Sequence, residues 1–205
     1  MSAKLTFVFL LPLAAAAALS ACDKKSGGDP AGGSSSIPVI AGQLFPDNFK
    51  GVCSGATVAA ATPYSAAAPA HKALLFGTYK DDLTDNSSSL PPDWTVLFSP
   101  TSDALKAIDL VACAKRTAAK EVKLCSDYKD DGKPSQNKVR WHTATYELSV
   151  REAATGKILA QKTIEATDAS CPMFYMFGSK DEVADGFASL SDSAVTDFLK
   201  PFVKP

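Results

Sequence analysis

The sequence predicts an α+β domain: a largely antiparallel sheet of four to five strands, with C-terminal helices on one face and two disulfides. Three observations carry that reading. Residues Trp141 to Arg151 alternate, with Tyr146, Leu148 and Val150 on one face and Thr145, Glu147 and Ser149 on the other. Shorter strand-like runs come before this one. Apolar residues at helical spacing then close the chain, and strands followed by helices are the α+β order. The chain has 205 residues, 46% hydrophobic and 21% charged. That suits one domain with its own core.

Residues 1–21 read as a lipoprotein signal peptide. Lys4 is followed by an apolar run from Leu5 to Leu19. The run is shorter than the ~20 residues a spanning helix needs, and charge, apolar stretch and small residues in that order describe a secretory signal. It ends in Leu19-Ser20-Ala21-Cys22, which resembles the lipobox of bacterial lipoproteins. The resemblance implies that the Cys22 sulfur carries a diacylglycerol and that Cys22 becomes the mature N-terminus. Several acyl chains on one residue make a stable anchor. The expected location is therefore the cell envelope: the outer membrane, the inner membrane facing the periplasm, or the cell surface. Asp23 resembles an inner-membrane retention signal of enterobacteria, which keeps both membranes open.

Residues 22–36 are then the lipidated Cys and a flexible linker rich in Gly and Ser. Its root-mean-square reach is roughly 20 Å. Apolar residues recur from Ile37, so 37–205 is expected to be a single domain.

Four cysteines remain, and exported proteins keep disulfides. Four cysteines allow three pairings. Ile108–Lys115 and Glu121–Tyr128 read as two short strands. A tight hairpin centred near Ala119 would set Cys113 opposite Cys125, within the ~4.5 Å of a close cross-strand pair. Cys53 would then pair with Cys171. His71 to Tyr79 reads as a further strand, and 86–93 as loop. The long strand turns at Ala153–Gly156 and returns over Lys157–Glu165, with Ile158, Ala160 and Ile164 facing inward. Ser179 and Glu182 have capping-box spacing ahead of Val183, Phe187 and Leu190, which predicts a first helix. Val195, Phe198, Leu199 and Phe202 predict a second, limited by Pro201.

The formal net charge of -1 excludes the basic excess of nucleic-acid binders. His71 and His142 are the two imidazoles, both at strand starts, so they could meet in space as an acid/base or metal pair. Met173 and Met176 follow Cys171. Thioethers suit cuprous copper, but methionines with Phe174, Tyr175 and Phe177 read first as core packing. Lys129 and Lys138 exclude a calcium loop at 127–138. No nucleophile elbow, phosphate loop or zinc-helix motif occurs, and no cofactor is implied.

Cys53-Ser-Gly with Ala59–Tyr64 and His71, then Leu110–Cys113, Cys125–Tyr128, Tyr146–Lys157, Cys171-Pro172 and Phe198–Val203, together resemble uncharacterised bacterial secreted proteins and lipoproteins. That resemblance implies boundaries and disulfides, and no reaction. The expected role is a non-enzymatic module. The membrane holds it through Cys22, and it binds a protein or small ligand. The alternative is a periplasmic enzyme or metal-handling protein using His71 or His142. Palmitate labelling of the wild type, lost in Cys22→Ala, is the expected outcome for the anchor. An unlabelled wild type would reject it.

Overall fold

A computed structural model describes residues 43–99, 103–130, 132–178 and 182–204. The signal segment, Cys22, the linker and residues 37–42 lie outside the described residues. The elements are α1 (Pro46–Lys50), β1 (Ala73–Tyr79), β2 (Asp82–Asp85), β3 (Leu110–Cys125), β4 (Lys129–Asp130), β5 (Lys133–Pro134), β6 (Lys138–Glu152), β7 (Ile158–Ala166), β8 (Val183–Phe187) and α2 (Asp192–Val203).

The fold is α+β, and its sheet is mixed. Six strands run β2-β1-β3-β6-β7, with β8 beside β6 below β7. β1–β2, β3–β6 and β6–β7 are antiparallel, whereas β1–β3 and β6–β8 are parallel. β4 and β5 form a small separate hairpin.

β3 and β6 make the spine. They pair along their whole length, from Leu110 opposite Glu152 to Cys125 opposite Val139. The hairpin expected at Ala119 does not form. Leu110–Cys125 contains no Gly, Pro, Asn or Asp to turn the chain, so it continues as one strand. Two bulges, between Arg116 and Ala118 and between Glu121 and Lys123, absorb the irregular spacing.

That strand overturns the disulfide assignment. Cys113 and Cys125 lie twelve residues apart on one strand, up to about 40 Å, far beyond bridging range. Cys113 bonds Cys53 and Cys125 bonds Cys171, each with Cα atoms 5.7 Å apart. One bridge sits near each end of the spine.

The long hairpin is as expected, and Gly156 turns it at φ 71°. A side chain at Gly156 would also meet the Ala56 carbonyl at 2.7 Å. A shift in pairing between Val150 and Arg151 sets Ile158 opposite Arg151. Leu159, Ala160 and Ile164 therefore pack on the core, while Ile158 is exposed.

The first expected helix is a strand instead. Val183–Phe187 runs parallel to β6, from Lys138 opposite Val183 to His142 opposite Phe187. Gly186 disfavours helix, and a Cβ there would lie 2.7 Å from the Trp141 ring. The free edge of β6 supplies the backbone partners. Ser179 of the expected capping box lies outside the described residues. The second helix is α2, capped by Ser191, whose Oγ accepts the Ala194 N–H at 3.2 Å. It ends two residues after Pro201.

Both faces of the sheet are covered at one end of the spine. Leu74, Phe76, Val111 and Cys113 pack against Phe49 and Val52 of the N-terminal segment. Ala73, Leu75, Leu110, Leu148 and Val150 pack against Val195, Leu199 and Val203 of α2. Cover thus comes from α2 on one face and from the N-terminal segment on the other. This explains the unbroken buried run at the start of β1. A third cluster, around Cys125, Trp141 and Tyr146, occupies the other end.

Non-reducing peptide mapping should return the 53–113 and 125–171 pairs. With a sequence separation of 60 from Cys53 to Cys113, loss of that bridge through Cys53→Ala should cost up to ~4 kcal/mol in urea unfolding. A 113–125 peptide would overturn the single-strand spine.

Candidate functional site

His71 and Asp109 form a buried pair. His71 Nδ1 lies 2.5 Å from Asp109 Oδ2, with the two side chains 0% and 7% exposed. The other carboxylate oxygen accepts the Lys72 N–H at 3.0 Å. The Asp109 backbone is also committed: its N–H donates to the Lys72 carbonyl and its carbonyl accepts from Ala153. The His71 N–H donates to the Val203 carbonyl at 3.0 Å, and the Tyr64 ring lies 4.6 Å from the imidazole. The pair thus ties the starts of β1 and β3, the β6–β7 turn and the end of α2 at one point.

An aspartate on Nδ1 is the orienting half of a catalytic triad. The other half is missing here. His71 Nε2 is buried with no hydrogen-bond partner, so among the described residues no hydroxyl or thiol stands where a nucleophile would be activated. The arrangement holds backbone together, and the His71 side chain is sealed from solvent.

His142 lies elsewhere. His71 precedes Ala73, which pairs with Leu110, whereas His142 faces Glu121. The two histidines are separated by about 35 Å of β3. Nδ1 of His142 is 3.0 Å from the Arg140 carbonyl and 3.1 Å from the Gly186 carbonyl. Both are acceptors, so Nδ1 carries the proton. Nε2 lies 3.8 Å from Asp185 Oδ1, and Arg140 forks onto both oxygens of that carboxylate at 2.9 and 3.0 Å. The imidazole stacks on Phe187 at 5.0 Å, and the Arg116 guanidinium sits 3.4 Å from the same ring. Among the described residues, no group of three His, Cys, Asp or Glu could hold a metal ion.

A wide groove lies at the far end of the spine. A groove of about 880 Å³ runs between the 126–137 loop and residues 171–178. Met173, Phe174 and Met176 line it and stand 83%, 85% and 84% exposed. Core packing therefore holds for Tyr175 and Phe177, which join the third cluster, and fails for the other three. From Phe174 to Phe177 exposed and packed side chains alternate, and Met173 before them is exposed as well.

The groove is built firmly from beneath. Trp141 Nε1 donates to the Asp168 carbonyl at 2.9 Å, and the Asp168 carboxylate accepts the Ser170 N–H at 2.8 Å. That backbone hydrogen bond is the main cause holding the Asp168 carboxyl below its usual range. The Cys125–Cys171 bridge follows, and Tyr175 Oη donates to the Asp185 carbonyl at 2.6 Å. Tyr128 meets Phe177 edge-on at 5.4 Å, and its buried hydroxyl has no hydrogen-bond partner. Burial raises the Tyr128 phenol above its ordinary value. The site thus joins an apolar, thioether-bearing lip to an unsatisfied hydroxyl.

Sequence reasoning found Met173 and Met176 but placed them inside. It missed Asp109, Tyr128, Asp185 and Phe187. Asp109 left one signal, a lone carboxylate in the apolar run Ile108–Val111. The chain matches no family model, no curated protein and no solved structure.

Asp109→Ala should leave a buried imidazole N–H and the Lys72 N–H without acceptors, costing ~3–5 kcal/mol in urea unfolding. The double change His71→Phe, Asp109→Leu should recover much of that loss. A single-variant cost under ~1 kcal/mol would show that the pair does not tie these segments.

Proposed function

We propose that this chain is a lipid-anchored cell-envelope protein whose domain is a non-enzymatic binding module, with the groove at 171–178 as its binding surface. The observation that carries the reading is the lip of Met173, Phe174 and Met176. Three large apolar side chains more than four-fifths exposed form a contiguous patch of the kind that marks binding surfaces. Methionines adapt to varied partners, and aromatic side chains anchor them. The groove volume falls in the range of ligand pockets.

The lipobox resemblance of Leu19–Cys22 and the linker after it supply the anchor and display the domain outside the cytoplasm. An enzyme built on the histidines draws no support from their geometry. His71 is sealed, and His142 commits one nitrogen to carbonyls and rests its ring on Phe187.

A photo-crosslinking phenylalanine at position 174 should give a discrete adduct in native envelopes. The same probe at Lys157, at the opposite end of the spine, should give none. Equal labelling at both positions, or none at 174, would reject the groove as the binding surface.

A further inference from the structure

We propose that Met173 and Met176 bind a soft monovalent cation, copper(I), through their two thioether sulfurs. This adds a metal ion to the binding surface proposed above and rests on that reading.

The sequence contains three methionines, and the third is Met1. Both methionines of the domain therefore stand in water on one loop, 83% and 84% exposed. Methionine gains from burial and fills gaps, and these two do neither. They line one groove. Three residues apart, their Cα atoms are separated by at most ~11 Å, within the joint reach of two extended side chains.

The loop is held so that both point outward. Cys171 is bonded to Cys125, Tyr175 is bonded to the Asp185 carbonyl, and Phe177 packs inward against Tyr128. The cation would meet two methionines on an anchored backbone rather than order a free segment.

The donor set selects the metal. Thioethers are soft and favour copper(I) over zinc, calcium or magnesium. Both cysteines near the groove are locked in a disulfide, so thioethers are the sulfur donors left to bind. Phe174 stands between the two methionines on the same lip and adds a ring face, which attracts cations. Two protein sulfurs leave coordination positions open, which suits a site that receives and passes on its ion.

Silver(I) is the redox-silent probe. The detergent-solubilised full-length protein, labelled at the methionine methyl groups, is titrated with silver(I) and followed by NMR. The Met173 and Met176 signals should move together and saturate at one ion per chain. Met173→Leu and Met176→Leu should each weaken binding about tenfold or more, with zinc(II) giving no shift. Leucine keeps the lip apolar, so folding should persist in the double variant, which urea unfolding checks.

Unmoved methyl signals, or silver binding unchanged in the double variant, would overturn the metal site. If the position-174 adduct survives such a result, the binding surface stands without copper. If the adduct is absent as well, both readings fall.

Discussion

The β3–β6 ladder is the constraint on which the rest of the structure depends. Every other strand of the main sheet pairs with one of these two or with β1, which itself lies on β3. The ladder runs from Leu110 and Glu152 at one end to Cys125 and Val139 at the other. β1 accompanies β3 only as far as Ala114. The two ends of the spine therefore have different surroundings, and they take different roles.

One end is sealed. There the sheet lies between α2 and the N-terminal segment, and β1 is buried on both faces. Backbone that leaves such a sheet must find partners or pay a desolvation cost. Asp109 supplies them. Its carboxylate holds the His71 ring and the Lys72 N–H, and its peptide bonds Lys72 and Ala153. A buried carboxylate is tolerable when both of its oxygens accept hydrogen bonds in this way. The residue types of a catalytic dyad are present, but the packing that secures them also closes them off.

The other end is open. Among the described residues, the spine past Ala114 has no cover comparable to α2, and its third cluster is built from Trp141, Tyr146 and the Cys125 bridge. The 171–178 segment leans on that cluster through Tyr175 and Phe177 and turns Met173, Phe174 and Met176 to solvent. Exposed apolar surface is costly to the fold unless something uses it. The bridge, the Asp168 turn and the Tyr175 hydroxyl keep the lip from collapsing inward. Rigidity beneath and exposure above are what a preorganised contact surface requires.

Local sequence pattern determined much of this protein by itself. The alternation of Trp141–Arg151, the Gly156 turn and the spacing in Val195–Phe202 made the hairpin and the last helix legible, because each is fixed by neighbours within a few residues. The α+β class followed from their order. What local pattern could not decide was partnership across the chain. Leu110–Cys125 reads as two short strands until β6 is seen to pair with all of it, and the cysteine pairing changes with that one fact. Val183–Phe187 becomes a strand because β6 has a free edge beside it. Met173 and Met176 face outward because their inward-facing neighbours claim the available core. Burial, pairing and exposure depend on which distant segments meet, and only the tertiary structure decides that.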